Sequence, residues 1–145
     1  MDISIRPATE EDWAVIRGIH EDLRRPLRTN CYPLEFLIAW RDGVGVGCAG
    51  TARNSEGAYF YGLAVKRSCQ RKGIGSALMT ARIESLDGSH LKYAFALAMF
   101  WNSRFFRKFG FTSLNRSDLP ASATTHTDLA EGAFKRSCVM FRRLV

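Results

Sequence analysis

The sequence predicts a single α/β (α+β) domain over residues 1–145, with a sheet flanked by helices. Three observations predict this class. A short alternating run precedes an amphipathic helix, several β-prone runs are separated by turn signals, and a glycine-rich loop leads into a second helix and a further buried strand. With 145 residues, of which 46% are hydrophobic and 24% charged, the chain has the composition of an ordinary globular protein. No linker, repeat or low-complexity tract divides it.

The amino-terminal part predicts a strand followed by a helix. Ile3 and Ile5 alternate with polar residues up to Pro7, as in a short strand. Thr9 precedes three acidic residues, which predicts a helix N-cap with favourable charge in the first turn. We expect the helix to continue to about Arg24, because helical spacing relates Trp13, Ile16 and His20.

An antiparallel meander is expected next. Residues 34–40 are apolar and β-prone, Asp42-Gly43 is a hairpin turn signal, and residues 44–48 return as a strand. Residues 54–57 are a further turn-like cluster. Residues 58–65 lack alternation, as expected of a central strand that is covered on both faces.

Helices and strands alternate in the rest of the chain. Residues 66–72 are polar and basic, and the helix after them has a predicted apolar stripe of Ile74, Ala77, Leu78 and Ala81. Asp87-Gly88 ends this helix. We predict a buried strand at residues 93–98, a short helix at 102–109 stopped by Gly110, a loop at 115–127 and a last strand at 137–144.

The net charge of +7 suggests either a nucleic-acid binder or a site for an anionic ligand. The Lys and Arg residues are scattered from Arg6 to Arg143, which favours a solvated surface with one anion site. The longest apolar stretch, residues 93–101, is shorter than the ~20 residues of a membrane span. Residues 1–7 lack the apolar core of a signal peptide. We therefore expect a cytoplasmic protein that binds neither nucleic acid nor membrane.

Cysteine and histidine positions predict no metal site. The cysteines form no C-x-x-C pair, and the three histidines are isolated from them and from one another. We expect all four cysteines to be reduced thiols, most of them in the core or in strands: Cys31, Cys48, Cys69 and Cys138.

Two glycine patterns compete as a phosphate-binding loop. Residues 45–50 spell G-x-G-x-x-G, the dinucleotide fingerprint, but a hairpin precedes them and no acidic residue stands about 20 positions further on. Glycines packed closely within a strand are the better interpretation.

The second pattern is Gln-Arg-Lys-Gly-Ile-Gly at residues 70–75, between a buried strand and an amphipathic helix. The first amides of a helix have no intrahelical partner, and together with the helix dipole they form a seat for phosphate. Gly73 and Gly75 let a pyrophosphate approach the backbone without meeting a Cβ atom, and Arg71 and Lys72 add positive charge. The alternative is a glycine-started helix behind a solvated basic loop.

Leu63-Ala64-Val65, followed by Gln70-x-x-Gly73-x-Gly75 and an Ala/Leu-rich helix, resembles the acyl-CoA-binding signature of the GNAT family of N-acetyltransferases. Residues 105–111, FFRKFGF, resemble the second signature of that family, an aromatic helix ending in Gly-Phe. The resemblance spans Ile5 to Leu144. It implies a central mixed and mostly antiparallel sheet, in which a parallel pair of strands splays apart to form a cleft for acetyl-CoA.

The resemblance implies direct transfer, in which a neutral amine attacks the thioester of acetyl-CoA without a metal. Backbone groups of Leu63 and Val65 would bind the acetyl carbonyl and the pantetheine arm. A backbone N–H aimed at the oxyanion, implied at Leu63, lowers such a barrier by ~3 kcal/mol. The residues implied in coenzyme binding are Leu63, Ala64, Val65, Gln70, Arg71, Lys72, Gly73, Ile74, Gly75, Ser76, Asn102 and Phe105.

The resemblance leaves the catalytic acid and base open. Many relatives use a tyrosine of the second-signature helix to protonate the departing thiolate, and the matching residue here is Phe106. Asn102, the implied catalytic residue of this helix, or Ser103 would hydrogen-bond the sulfur directly or through water. For the base, the candidates on or beside the central strand have packing or surface roles as alternatives: Tyr59, Tyr61 and Glu56.

A finer resemblance concerns the acceptor amine. Residues 36–43 and 47–49, the phenylalanine pair before Gly110-Phe111, and the tail at 118–120 and 135–137 resemble the acetyltransferase domain of bacterial N-acetylglutamate synthases and short stand-alone relatives. Tail Arg and Ser residues of those enzymes help to hold the carboxylates of glutamate, and a guanidinium suits bidentate carboxylate binding. The implied substrate ligands are Arg136, Ser137 and, from the loop after the first helix, Arg28. For Arg136, a solvated strand arginine is the alternative.

The leading prediction is therefore an acetyl-CoA-dependent N-acetyltransferase that acts on a small, amino-acid-like amine bearing a carboxylate, with a homodimer left open. A catalytically idle acyl-CoA-binding sensor or interaction module is the second hypothesis, which Phe106 keeps open. Protein N-acetylation and, on charge alone, nucleic-acid binding are the remaining alternatives.

Overall fold

The computed structural model describes residues 2–25, 27, 31–99, 102–125 and 137–144. Within these residues the helices are α1 (Trp13–Asp22), α2 (Ile74–Ser85) and α3 (Ser103–Arg107). The strands are β1 (Ser4–Pro7), β2 (Phe36–Arg41), β3 (Val44–Arg53), β4 (Gly57–Val65), β5 (Tyr93–Ala98), β6 (Thr112–Leu114) and β7 (Cys138–Arg143).

The described strands form one mixed sheet in the order β1-β2-β3-β4-β5-β7-β6. β1 with β2, β2 with β3, β5 with β7, and β6 with β7 pair antiparallel. β4 and β5 pair parallel, from Gly57 opposite Tyr93 to Phe60 opposite Ala96. The predicted fold class, a mixed sheet with helices and one parallel pair, is therefore confirmed.

The structure divides into two compact units. The first comprises Met1–Thr51 and Gly62–Asp87, and the second comprises Ala52–Tyr61 and Gly88–Val145. The first unit carries α1 and α2, and the second carries α3.

Thr9, the predicted N-cap, precedes a 3-10 turn that leads into α1, and Asp12 stands at the N-cap of α1 itself. The backbone N–H and the Oγ1 of Thr9 donate to Asp12 Oδ2 at 2.8 and 3.1 Å, which fixes the turn Glu10–Asp12 ahead of α1. α1 ends at Asp22, before the predicted Arg24. Leu23 caps it through a 3.1 Å bond from its N–H to the His20 carbonyl.

Close packing explains the glycines of β3. The predicted turn at Asp42-Gly43 joins β2 to β3, with left-handed φ angles of 50° and 76°. A Cβ atom on Gly45 would overlap Val15 Cγ1 of α1, and one on Gly47 would lie 3.1 Å from Leu78 Cδ1 of α2. These glycines let the helices approach the strand, so the interpretation of residues 45–50 as a strand is confirmed.

α2 packs through only part of the predicted stripe. Ile74 and Leu78 are buried in a cluster with Ala39 and other residues of β2 and β3. Ala77 is exposed, whereas Arg82 is buried. The predicted stripe is therefore wrong at Ala77, because the buried face of the helix is rotated toward the Arg82 side chain.

The second unit has an aromatic core beside β4 and β5. Asn54 Oδ1 accepts the N–H groups of Glu56 and Gly57 at 2.9 and 2.7 Å, and its Nδ2 donates to the Ser122 carbonyl at 2.8 Å. Asn54 thus fixes the predicted turn before β4 and ties it to the 3-10 turn Ala121–Thr125. The buried members of the core are Tyr59, Tyr93, Phe95, Leu119, Ala123 and Val139.

β6 is a strand that the sequence did not predict. It has three residues, of which Thr112 and Ser113 are exposed, so no alternation marks it. Pairing with β7, from Thr112 opposite Phe141 to Leu114 opposite Val139, defines it instead. Gly110, with φ 85°, ends the preceding α3 turn as predicted.

Candidate coenzyme and substrate site

The loop between β4 and α2 presents consecutive backbone amides. Arg71 and Gly73 have left-handed φ angles of 62° and 83°, so the chain turns sharply before α2. The first helical bond runs from the Ala77 N–H to the Gly73 carbonyl at 3.0 Å. None of the hydrogen bonds among the described residues occupies the amides of residues 71–76. Amides at the start of a helix bind anions, so this geometry suits a pyrophosphate.

Space is open above the two glycines of this loop. A Cβ atom on Gly73 would meet nothing within 4 Å among the described residues, and one on Gly75 would meet only Val65 Cγ2, at 3.9 Å. The protein therefore requires glycine at position 73 for its φ angle rather than for internal packing. Arg71 and Lys72 are exposed beside it.

Gln70 holds the loop against the end of β4. Its Nε2 donates to the Val65 carbonyl at 3.0 Å, and its backbone N–H lies 3.4 Å from the Arg67 carbonyl. The Arg67 N–H donates in turn to Asp22 Oδ2 of α1 at 2.9 Å. Gln70 is therefore part of the loop's support, a role that the motif alone does not reveal.

β4 is kinked immediately before Leu63. Gly62 has a φ angle of 65°, and a Cβ atom there would lie 2.9 Å from two ring atoms of Phe36. The Gly62 carbonyl lies 3.0 Å from His20 Nε2 and 3.7 Å from Cys48 Sγ. Only glycine fits this position, and the kink re-aims the peptide that carries the Leu63 N–H.

Three buried side chains of the first unit that can titrate lie at this kink or along β3. Burial lowers the pKa of His20 below 6.5. Backbone hydrogen bonds with Gly62 and Arg25 raise this pKa in part, and the charge of Arg25 lowers it slightly. Burial raises the pKa of Cys48 to about 12 and lowers the pKa of Arg82 to about 9. At neutral pH the imidazole is therefore neutral, the thiol protonated and the guanidinium charged. Arg82 Nη1 donates to the Gly50 carbonyl at 3.0 Å.

α3 supplies the implied site residues of the second unit. Asn102 immediately precedes α3, and Phe105 lies within it. The Phe105 ring packs on Phe106 and Phe109, with ring centroids 5.7 and 5.3 Å apart. Phe106 is buried and packs edge-on against Phe111. The residue at the family's tyrosine position is therefore a core side chain.

The structure describes one of the implied substrate ligands. Ser137 is half-buried just before β7, and its Oγ accepts a hydrogen bond from Arg116 Nη2 at 2.8 Å. Arg28 and Arg136 lie outside the described residues. Sequence reasoning missed Arg116, since it stands in an irregular polar segment with no periodicity.

The candidate bases of the second unit are packing or surface residues. Tyr59 is buried and stacks on Tyr61, with ring centroids 5.7 Å apart. Glu56 lies before β4 and forms an ion pair with Lys92 at 3.7 Å. These contacts favour the packing and surface alternatives.

The described residues contain no group of three or more His, Cys, Asp or Glu side chains that could hold a metal ion. They also contain no helix that is long and apolar enough to cross a membrane.

Solved structures similar to this chain include N-acetylglutamate synthase from Neisseria gonorrhoeae. Its complex with coenzyme A and N-acetyl-glutamate has a TM-score of 0.84 and 25% identity, over 100% of this chain and 36% of that one. Its complex with coenzyme A and L-arginine has a TM-score of 0.80 and 27% identity, over 98% and 33%. This chain thus spans about a third of the synthase.

A Mycobacterium tuberculosis protein in complex with CoA has a TM-score of 0.80 and 18% identity, over 98% of this chain and 99% of that one. At this identity the likeness concerns the fold alone. No curated protein sequence matches this chain significantly.

The family model described as "Acetyltransferase (GNAT) domain" matches residues 33–113, more than half of the chain. The match includes the loop at residues 70–75 and the aromatic helix α3. It confirms the family that the two signatures predict. The chain belongs to the GNAT family of acetyltransferases.

Proposed function

We propose that this chain transfers the acetyl group of acetyl-CoA to a small amine that carries a carboxylate. The observation that carries the proposal is the geometry of residues 70–75, which we name the coenzyme loop. Left-handed Arg71 and Gly73 lead into α2, and the amides of residues 71–76 are not bonded within the described residues. A pyrophosphate bound there would gain backbone hydrogen bonds and the field of the helix dipole.

The transfer itself needs few protein groups. A neutral amine attacks the thioester carbon, and the amine nitrogen, positively charged once bonded, gives up a proton to solvent water. The C–S bond breaks as the tetrahedral oxyanion collapses, and the thiolate of CoA leaves. The Leu63 N–H is the proposed oxyanion donor, and such a donor lowers the barrier by ~3 kcal/mol. A CoA thiol resembles a cysteine thiol, with a pKa of about 8.5, so it departs without a strong acid. Asn102 is the proposed hydrogen-bond donor to the sulfur.

Two observations support a carboxylate-bearing acceptor. Ser137 Oγ lies 2.8 Å from the Arg116 guanidinium, so a positive charge stands beside this implied substrate ligand. The gonococcal enzyme, which is 25% identical to this chain, was solved with N-acetyl-glutamate, a product of amine acetylation that keeps its carboxylates. Arg28 and Arg136 complete the proposed set of ligands.

A catalytically idle acyl-CoA-binding module is the second candidate. The burial of Phe106 at the family's tyrosine position favours it, because phenylalanine has no proton to give to the thiolate.

Coenzyme binding and thiol release separate the two candidates. Acetyl-CoA at 100 times its Kd would stabilise the native state by about 2.7 kcal/mol, measured as a rise in melting temperature. Free thiol is then followed across amino acids and their C-terminal amides, which differ only in the carboxylate. We expect faster release with the acids. Equal rates for acid and amide would contradict the acceptor class, stabilisation without thiol release from any amine would favour the idle module, and no stabilisation at millimolar coenzyme would contradict both.

A further inference from the structure

A buried histidine of the first unit, which has no role in the proposed function, contacts the kink of β4. His20 lies in the last turns of α1 with 6% of its surface exposed, and its Nε2 lies 3.0 Å from the Gly62 carbonyl. A carbonyl oxygen only accepts hydrogen bonds, so Nε2 carries the proton and donates it. Neither GNAT signature contains this residue.

The peptide bond links that contact to the reaction. The Gly62 carbonyl and the Leu63 N–H belong to one planar trans peptide, so they point in opposite directions and turn together. A donor that fixes the carbonyl therefore also fixes the N–H. A hydrogen bond to the oxygen also polarises the peptide and strengthens its N–H as a donor.

We propose that His20 is a positioning residue for acetyl transfer: its hydrogen bond to the Gly62 carbonyl holds the Gly62–Leu63 peptide so that the Leu63 N–H is directed at the thioester oxygen. This inference rests on the proposed function, since it takes the oxyanion donor from there. The left-handed φ of 65° at Gly62 gives the peptide its direction, and Phe36, packed on Gly62, leaves no room for another residue.

No other described side chain holds this carbonyl as closely. Cys48 Sγ lies 3.7 Å from it, and a thiol is a weak donor. His20 also connects two segments of the first unit. Its side chain contacts Gly62 of β4, and its backbone carbonyl accepts the N–H groups of Leu23 and Arg25, after α1, at 3.1 and 3.0 Å. The same residue therefore fixes the end of α1 and the kink of β4.

A matched pair of variants tests the proposal. In His20→Gln the side-chain amide reaches the position of Nε2 and can donate to Gly62, whereas in His20→Asn it is one bond too short. Both variants bury an amide, so a general loss of packing affects them alike. Ile16→Val, in the core face of α1, is the control for a weakened helix, because Ile16 is buried and takes no part in the proposed site.

The readout is the infrared stretch of acetyl-CoA labelled with 13C at the thioester carbonyl. In the wild-type complex we expect a shift to lower frequency, which His20→Gln and Ile16→Val retain and His20→Asn loses. The affinity for CoA, which has no acetyl carbonyl, stays within about 2-fold in all of them. With an acetylated amine, kcat of His20→Asn falls 10-fold or more at unchanged KM for acetyl-CoA, consistent with a misdirected oxyanion donor.

Each other outcome has a defined meaning. An unshifted stretch in the wild type, or equal stretches in His20→Gln and His20→Asn, overturns the role of His20 while coenzyme binding stands. If acetyl-CoA does not bind the wild type, the proposed function fails and this inference fails with it. A shifted stretch without acetylation of any amine supports the role of His20 and contradicts only the catalytic part of the proposed function.

Discussion

Replacing Gly73 with alanine separates the cost to the fold from the cost to coenzyme binding. Gly73 has a φ angle of 83°, and its Cβ would meet nothing within 4 Å of the described protein. The free protein therefore loses only the strain of a left-handed alanine, about 1–2 kcal/mol, and no packing. The same Cβ would project where we place the pyrophosphate. Since charged hydrogen bonds contribute about 1.5–3 kcal/mol each, CoA affinity should fall about 10- to 100-fold.

Gly88→Ala is the matched control for this prediction. Gly88 has a φ angle of 75°, and its Cβ also meets nothing within 4 Å, but it follows α2 instead of preceding it. Differential scanning fluorimetry with CoA at 100 times the wild-type Kd should give a stabilisation of about 2.7 kcal/mol for wild type and Gly88→Ala. For Gly73→Ala it should be about 1.4 kcal/mol or less, because the affinity is at least tenfold lower. Equal stabilisation of both variants would refute the reasoning.

Three further predictions concern the supports of the site. Gln70→Ala removes the hydrogen bond to the Val65 carbonyl, so CoA affinity should fall a few fold and the free energy of unfolding by about 0.5–1 kcal/mol. Calorimetry measures the affinity and urea unfolding the stability, and an unchanged Kd would contradict this role of Gln70. Gly62→Ala should lower the free energy of unfolding by about 2–5 kcal/mol, because the alanine would be strained at a left-handed φ and would overlap Phe36. A loss below about 1 kcal/mol in urea unfolding would be inconsistent with the kink. Because burial lowers the folded pKa of His20 below 6.5, the unfolded chain binds more protons below that pH, and stability should fall as the pH drops through 6.5. His20→Gln should lack this part of the pH dependence, and parallel stability curves for the two proteins would contradict it.

The fold was largely predictable because local signals agree with the tertiary structure. The capping pair Thr9 and Asp12, the turn at Asp42-Gly43 and the left-handed Gly110 each act through nearby backbone, so sequence pattern alone identifies them. β6 depends on pairing with β7, which is distant in sequence, and its three residues carry no pattern of their own.

The candidate site was predictable only where a motif carries it. The coenzyme loop follows from its glycines and basic residues, which fix backbone geometry locally. Its supports are long-range contacts: His20 meets Gly62 across 42 positions, and Arg116 meets Ser137 across 21. Arg82 is buried although a charged side chain is typical of the surface, and it lies one helical turn after the buried Leu78. The prediction of a single domain over residues 1–145 stays a prediction.

Backbone amide resonances of the coenzyme loop provide the most direct test of the central claim, that residues 71–76 bind the pyrophosphate of CoA. Labelled protein is titrated with CoA and, separately, with pantetheine, which lacks the pyrophosphate. The proposed geometry predicts that CoA shifts the 15N–1H resonances of these residues strongly and that pantetheine leaves them in place. Binding of CoA with these resonances unmoved, or equal shifts with both ligands, would contradict it.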